Sequence, residues 1–211
     1  MQFNLYPVMP RRYNGSMNEQ NTKYINAEAT KEALLHRAEI LFAELGFAKT
    51  SIDEIVKHEQ LTKGAFYYHF KDKKAIFEQV VDRFLEKIVV RINGAAGVKK
   101  DPWERAMTAL DIYLEECLQP SYRRIVLQEG PAALGWKQWR EKEKHSVMSV
   151  SALLLQELME SGHITKQPPD LLADILFGAV TEAAIGIAEA DDPTAARTQV
   201  GSILERILRS F

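Results

Sequence analysis

Apolar positions recur along this chain with a period near four, and glycines, prolines and capping residues mark the breaks between runs. From about Ala27 to Leu45, residues Leu34, Ala38, Leu41, Phe42 and Leu45 keep the i, i+4, i+7, i+8 pattern of an amphipathic helix, which Gly46 closes. The next run is short. Ser51-Ile52-Asp53-Glu54 reads as a capping box, opening a helix that buries Ile52, Ile55 and Val56 and ends near Glu59-Gln60. Thr62 then caps a third helix, with Leu61 before it and Phe66 at its fourth position spaced as a hydrophobic staple. Asp72 starts a fourth, from Lys73 to about Ile92, with Ile76, Val80, Phe84 and Ile88 four apart and Asn93-Gly94 as its stop.

The second half is helical by the same signs. Asp101-Pro102 opens a helix to Leu118 that Gln119-Pro120 ends, and Ser121 to Gln128 is a short helix closed by Gly130-Pro131. Trp136 to Ser161 follows, charged first and apolar later, and ends at Gly162. Asp170 to Ala190 is apolar almost all round and rich in small residues, so it must be buried on more than one side. Thr194 to Ser210 is the last helix. Strand signals are absent, which makes the expected fold all-α. Residues 1–26 mix Pro7, Pro10, Gly15 and many asparagines without periodicity and read as a flexible arm, in which Arg11 and Arg12 could follow a DNA minor groove.

The third helix carries the chemistry. Phe66 and Phe70, four apart, turn into a core and leave Lys63, Gly64, Tyr67 and Tyr68 towards solvent. A helix from Thr62 to His69 would be about 12 Å long, matching the roughly 12 Å width of the DNA major groove. Gly64 suits a close backbone approach. Lys73, at the first turn of the next helix, adds charge where free amides already favour a phosphate. The overall net charge of −2 argues against a nucleic-acid partner, but the charges are unevenly spread. Residues 1–100 hold 16 basic and 12 acidic side chains, residues 101–211 hold 11 and 17, so the basic half is the one with the motif.

These residues resemble the DNA-binding domain of the tetracycline-repressor (TetR) family of transcriptional regulators. The resemblance rests on Phe42-Ala43-Glu44-Leu45-Gly46-Phe47, on Thr50-Ser51-Ile52 with Ile55, and on Lys63-Gly64 with Tyr67, His69, Phe70 and Lys73. It covers about Ala29 to Val81. It implies that Lys63, Gly64, Tyr67 and Tyr68 meet base edges or groove walls and that Thr50, Ser51, His69 and Lys73 hold phosphates, with Thr62 and Ala65 on the same surface. Two positions depart from the family pattern. Glu59-Gln60-Leu61-Thr62 replaces Ala-Gly-Val-Ser at the turn, so Gln60 must take the left-handed conformation, and Val56 stands where alanine is usual.

The resemblance further implies a helix-turn-helix domain over residues 27–74 and, over residues 75–211, a ligand-binding and dimerisation bundle joined to it by a lever helix. The expected partners are a palindromic double-stranded operator, a second copy of the chain and a small apolar or aromatic effector that releases the DNA. Candidate pocket walls are Trp103, Met107, Leu110, Leu114, Ile125, Met148 and Phe177, and candidate polar groups are Gln128, Glu129 and Glu182, because burying them demands a partner. The alternative is a DNA-bound module on the same fold, regulated by a partner protein without a small ligand.

Other chemistry has little support. Glu160-Ser161-Gly162-His163 has the Glu-x-x-His spacing of a di-iron bundle, but in one copy broken by Gly162. Glu141 and His145 sit among alternating charges on a solvated face, and His36 and His58 have no partner pattern. No phosphate loop, nucleophile elbow or Cys-x-x-Cys is present, so neither an enzyme nor a metal or other cofactor is expected. With one cysteine, Cys117, and no apolar run approaching 18 residues, a reduced, cytoplasmic location away from any membrane is expected.

Overall fold

The computed structural model describes the backbone of residues 15–58 and 61–211 and the side chains of residues 27–57 and 61–211. The turn residue Gln60 and the arm up to residue 14 lie outside the described residues. Everything regular among the described residues is helical. The N-terminal unit consists of α1 (Gly15–Leu45), α2 (Ile52–His58) and α3 (Lys63–His69), all packed against one another, with α4 (Lys73–Ala96) packed along α1. Periodicity places the start of α1 near Ala27, yet the helix runs back to Gly15, so residues 15–26 are not an irregular arm. They carry no apolar stripe for a pattern to reveal. They prolong a helix already nucleated by packed residues, where each further residue gains a backbone hydrogen bond.

The core of this unit is aromatic. Phe42 of α1 meets Phe77 of α4 edge-on at 5.0 Å, and Phe47 meets the same ring at 4.9 Å. Phe66 and Phe70 of α3 are buried beside Ile55 and Val56 of α2. Each such ring stabilises the unit by roughly 1.5–3 kcal/mol. One continuous core then runs on along α4, through Val80, Phe84, Ile88 and Ile92, into the C-terminal helices. Asn93-Gly94 does not stop α4; the helix continues to Ala96, because Ile92 and Ala96 are both buried and packing overrides the low propensity of Gly94.

Against α4 packs α5 (Pro102–Leu118), capped by the Asp101 carboxylate, which accepts from the Glu104 amide at 3.0 Å. Glu116, buried on α5, is paired with Arg91 of α4. The chain then runs through α6 (Pro120–Tyr122), a π-helical segment (Arg123–Glu129) and α7 (Gly130–Leu134). Gly130-Pro131 therefore does not close this helix, and the wide π turn is the reason it can continue. In π pairing the Val126 carbonyl would be taken by the amide of residue 131, which is proline and has none. The Trp139 indole donates to that carbonyl instead, at 2.9 Å.

The run expected as one helix from Trp136 to Ser161 is two, α8 (Trp136–Lys144) and α9 (Val147–Glu160), parted at His145-Ser146. The break lets each half follow a different neighbour. Lys142 of α8 bridges Glu78 at 2.9 Å and Asp82 at 2.8 Å on α4, whereas α9 lies against α5 and α10. The last helices are α10 (Pro169–Glu189) and α11 (Pro193–Arg209). Asp174 and Glu182 interrupt the apolar runs of α10, yet its average hydropathy and length would suit a membrane span. Here it packs on α5, α9 and α11, with Leu171 and Ile175 left exposed.

The C-terminal helices grip the N-terminal unit at its turns. Gly46 ends α1 at φ +83°, and a Cβ there would stand 2.4 Å from a carboxylate oxygen of Glu129 in the π segment. Arg124 of that segment donates to the Glu44 carbonyl at 3.3 Å, and Lys74 at the start of α4 donates to the Leu134 carbonyl at 2.9 Å. Gly46→Ala is expected to destabilise the protein by about 1–2 kcal/mol through the left-handed backbone alone, with the Glu129 contact adding to it. Urea denaturation read by circular dichroism measures this.

Candidate nucleic-acid interface and ligand cavity

The exposed surface of the N-terminal unit is centred on α3, which is about 10 Å long at about 1.5 Å per residue. Its cap is Thr62, whose hydroxyl accepts from the Ala65 amide at 3.1 Å. Below, Phe66 and Phe70 are buried; above, Lys63 and Gly64 are exposed, Tyr67 is 55% exposed and Tyr68 77%. Two tyrosines held open to water by rings packed underneath form an amphipathic surface with both ring faces and hydroxyls on offer. Ala65 and His69 are half-buried at its edges, and the Tyr68 and His69 rings meet edge-on at 4.8 Å.

Two contacts hold α2 and α3 at this surface. Ser51 and Glu54 form the expected capping box: the serine hydroxyl accepts from the Glu54 amide at 3.2 Å, and the Glu54 carboxylate accepts from the Ser51 amide at 2.8 Å. The same carboxylate accepts from the Ser51 hydroxyl at 2.7 Å, and that bond, followed by the amide's, holds Glu54 below the usual carboxylate range. Lys63 pairs with Asp53 at 2.8 Å, which raises the lysine's affinity for its proton. Both partners are exposed, so the pair is weak and readily exchanged for another anion.

The side chains of Thr50 and Lys73, expected at phosphates, are turned inward. Thr50 is only 1% exposed, and its hydroxyl donates inward to the Gly46 carbonyl at 2.9 Å, with the Leu41 carbonyl at 3.2 Å. Lys73 is folded back onto the turn between α1 and α2. Its ammonium donates to the carbonyls of Phe47 at 2.7 Å and Thr50 at 2.8 Å, lies 3.5 Å from that of Ala48, and sits 4.5 Å over the Phe47 ring. The carbonyls left over where α1 ends need donors, and a long cation from α4 supplies them. Both residues build the support for α2 and α3.

In the C-terminal half, a cavity of about 100 Å³ lies between α4, α5, α9, α10 and α11. Of the expected walls, Met107, Leu110 and Phe177 line it, together with Tyr113, Val147, Leu154 and Val180. Trp103, Leu114, Ile125 and Met148 are buried elsewhere in the core; the Trp103 ring lies under the Arg209 guanidinium at 3.9 Å. The three polar candidates fail as cavity groups. Gln128 and Glu182 are exposed, and Glu129 is engaged at Gly46 beside Arg124. Helical phase explains it: these residues fall on the outer faces of their segments.

Different polar groups are buried behind the Tyr113 wall of the cavity, and of them only Tyr113 lines it. Glu143 of α8 is 0% exposed, and neither of its carboxylate oxygens has a hydrogen-bond partner. Burial pushes its carboxyl up to about 8, against a smaller opposing pull from Arg140. The hydroxyls of Tyr113, Tyr122 and Thr181 are also buried without a partner of ordinary geometry. Tyr113 and Tyr122 both feel the Glu143 charge, and burial first of all drives both phenols well above their usual range. Tyr113 joins the two features, because its ring lines the cavity while its hydroxyl belongs to the polar group. A signal for Glu143 was present in the sequence: it stands midway between Trp139 and Val147, four residues from each, on a stripe that is otherwise apolar.

A compact three-helix unit presenting one solvent-facing helix, fused to a helical bundle with an internal cavity, is a helix-turn-helix regulator in architecture. The family model for bacterial regulatory proteins of the tetR family matches residues 34–80, and that for the tetracyclin repressor-like C-terminal domain matches residues 103–211. The chain is 27% identical over 165 residues to the transposon Tn10 TetC protein of Escherichia coli, covering 77% of this chain and 82% of that one. The crystal structure of a TetR-family transcriptional regulator from Pectobacterium atrosepticum superposes with a TM-score of 0.73 at 32% identity, covering 88% of this chain and 95% of the other. RolR, in a complex with its ligand resorcinol, shares the fold with a TM-score of 0.68 at 20% identity, covering 88% and 90%. The chain belongs to the TetR family. It is a DNA-binding transcriptional regulator, and the proteins it matches are regulators rather than enzymes.

Because Lys73 ties the turn between α1 and α2 to α4, Lys73→Ala is expected to destabilise the N-terminal unit by about 1–3 kcal/mol. Amide exchange at Phe47 to Ser51 should accelerate before any change in the C-terminal helices. A variant that loses DNA affinity with unchanged exchange there would return Lys73 to the phosphate-holding role.

Proposed function

We propose that this protein is a cytoplasmic, homodimeric repressor that holds a palindromic operator through two copies of α3 and releases it when a small molecule enters the C-terminal cavity. Lys63, Gly64, Tyr67 and Tyr68 read the major groove, and Ser51, Thr62, Ala65 and His69 lie at its walls and phosphates. The observation that carries the ligand part is the cavity itself, with unpartnered polar groups beside it and a packed route to the DNA-binding unit. Tyr122 meets Phe84 of α4 edge-on at 6.0 Å, and the π segment that starts at the next residue grips Gly46 through Arg124 and Glu129. A cavity of about 100 Å³ is smaller than the engineered cavity of about 150 Å³ that takes up benzene, so one ring is the upper size of ligand it holds without widening. Resorcinol, the ligand of RolR, is in this size class.

The dimer reading rests on α10 and α11. Leu171 and Ile175, the latter 66% exposed, stand open on α10, with Ile203 and Ile207 partly open on α11. A Cβ at Gly178 or Gly186 would meet nothing within 4 Å, which leaves room for a second pair of helices to approach. Two copies joined there would present two α3 helices to half-sites about 34–36 Å apart, and a single short helix reads too few base pairs alone.

Fluorescence anisotropy with DNA from upstream of the protein's own gene should show tight, salt-sensitive binding, at least tenfold stronger than to random DNA. Tyr67→Ala should weaken operator binding by roughly tenfold or more while the protein stays folded and dimeric. Equal, weak binding to both DNAs would contradict the operator assignment. Ile175→Glu should shift the dimer towards monomer in sedimentation velocity and lower operator affinity with it; an undisturbed dimer would remove α10 from the interface.

A further inference from the structure

Burying a carboxylate without a hydrogen bond is among the least favourable arrangements a core can contain, and α8 does so with Glu143. An apolar residue would have packed in that stripe between Trp139 and Val147 without the penalty. The neighbouring cations offer little relief, since Arg140 pulls on Glu143 less than burial pushes. Arg140, one turn earlier, is directed to Asp174 of α10 at 3.1 Å and lies 4.8 Å over the Phe177 ring. Lys142 is held by Glu78 and Asp82 of α4. Glu143 is thus an acid with no cation bonded to it, in a region walled by rings: Tyr113 contacts Tyr122 at 6.5 Å and Phe177 at 6.0 Å, and Phe177 contacts Trp139 at 6.4 Å.

We propose that Glu143, with the Tyr113, Tyr122 and Thr181 hydroxyls, is the polar end of the ligand site and receives a small organic monocation, a protonated amine on an apolar body of about one ring. The three requirements of such a ligand are met by separate features. Its ammonium donors are satisfied by the two free carboxylate oxygens of Glu143 and by hydroxyls that otherwise have only one another and the Cys117 thiol, its charge is balanced by Glu143 and favoured by ring faces, and its apolar body fits the cavity that Tyr113 borders. An anion would face Glu143 unaided, and a neutral apolar molecule would leave both Glu143 oxygens unpaired. The inference rests on the cavity being the effector site proposed above.

Binding has a proton signature. With its carboxyl raised to about 8, Glu143 is mostly protonated at neutral pH in the empty protein, and pairing with an ammonium expels that proton to solvent. The groups facing it do not compete over this range: burial raises the Tyr113, Tyr122 and Cys117 protons further out of reach, and Arg140 is ion-paired with Asp174 at 3.1 Å. The same shift affects stability. The folded state holds the Glu143 proton more tightly than the unfolded chain does, so its contribution falls as pH rises from the ordinary glutamate range towards about 8.

The test is calorimetry and thermal melting of the full-length protein with benzylamine, phenethylamine and butylamine, each paired with its alcohol analogue, on wild type and Glu143→Gln. The expected result is amine binding at least tenfold stronger than alcohol binding, release of a proton on binding at pH 7, and loss of both properties in Glu143→Gln. That variant should itself melt higher than wild type near pH 8 and show a flatter decline between pH 5 and 8, which separates a binding defect from misfolding. Amines that fail to bind wild type, or bind Glu143→Gln equally well, overturn the proposal. Operator anisotropy in parallel keeps the two readings apart. A neutral aromatic that binds and releases DNA while no amine binds would remove the amine site and keep ligand-driven release. An amine bound through Glu143 without effect on DNA would do the reverse.

Discussion

Helix α4 carries one stripe of side chains through both ends of a single continuous core, and the arrangement of the whole molecule depends on that. Ile76 and Phe77, at its start, close the aromatic core under α1 and α3; Phe84, Ile88 and Ile92, further along, belong to the core of the C-terminal helices. Interiors packed at crystal-like density do not deform continuously, so a shift of α4 demanded at one end of the core must be answered at the other. Charges repeat the pattern on its outer faces, where Arg83 pairs with Glu32 of α1, and Glu78 and Asp82 with Lys142 of α8. The helix is a shared wall as much as a lever.

The second tie between the halves is built from helix ends. α1 stops at a left-handed glycine, and the exposed carbonyls of that turn are taken by Lys73 from α4 and Arg124 from the π segment. A turn closed by its own side chains would be indifferent to the C-terminal bundle; this one is completed by it. The π turn itself is maintained by a second dependency, the Trp139 indole on the Val126 carbonyl that Pro131 cannot serve. Since π segments are rare and hold their hydrogen bonds less favourably than α turns, this is a place where a small change in α8 reaches the support of α2 and α3.

Stability and function pull apart most clearly at α8. Its outer residues stabilise the fold through Lys142, while its inner residue Glu143 works against it. The two lie next to each other in sequence and, about 100° apart around the helix, face different neighbours.

Periodicity and capping residues alone determined the all-helical fold, the order of the helices and the split of α3 into a buried phenylalanine pair and an exposed tyrosine pair. These are local properties, set by spacing along a helix of known pitch and by hydrogen bonds three residues apart, as at Ser51-Glu54 and Thr62-Ala65. What depends on partners distant in sequence was decided only by the tertiary structure. Lys73 reads as a phosphate ligand until the carbonyls of Phe47 and Thr50 are seen beneath it, and Thr50 as an exposed hydroxyl until α1 closes over it. Gly94 and Gly130 read as stops, but burial of Ala96 and a π turn carry the helices through. Glu143 sits in a run of charges that spells a solvated face, and only the docking of α8 on α4 and α10 sends it inward, because which side of a charged helix is buried depends on what lies across from it.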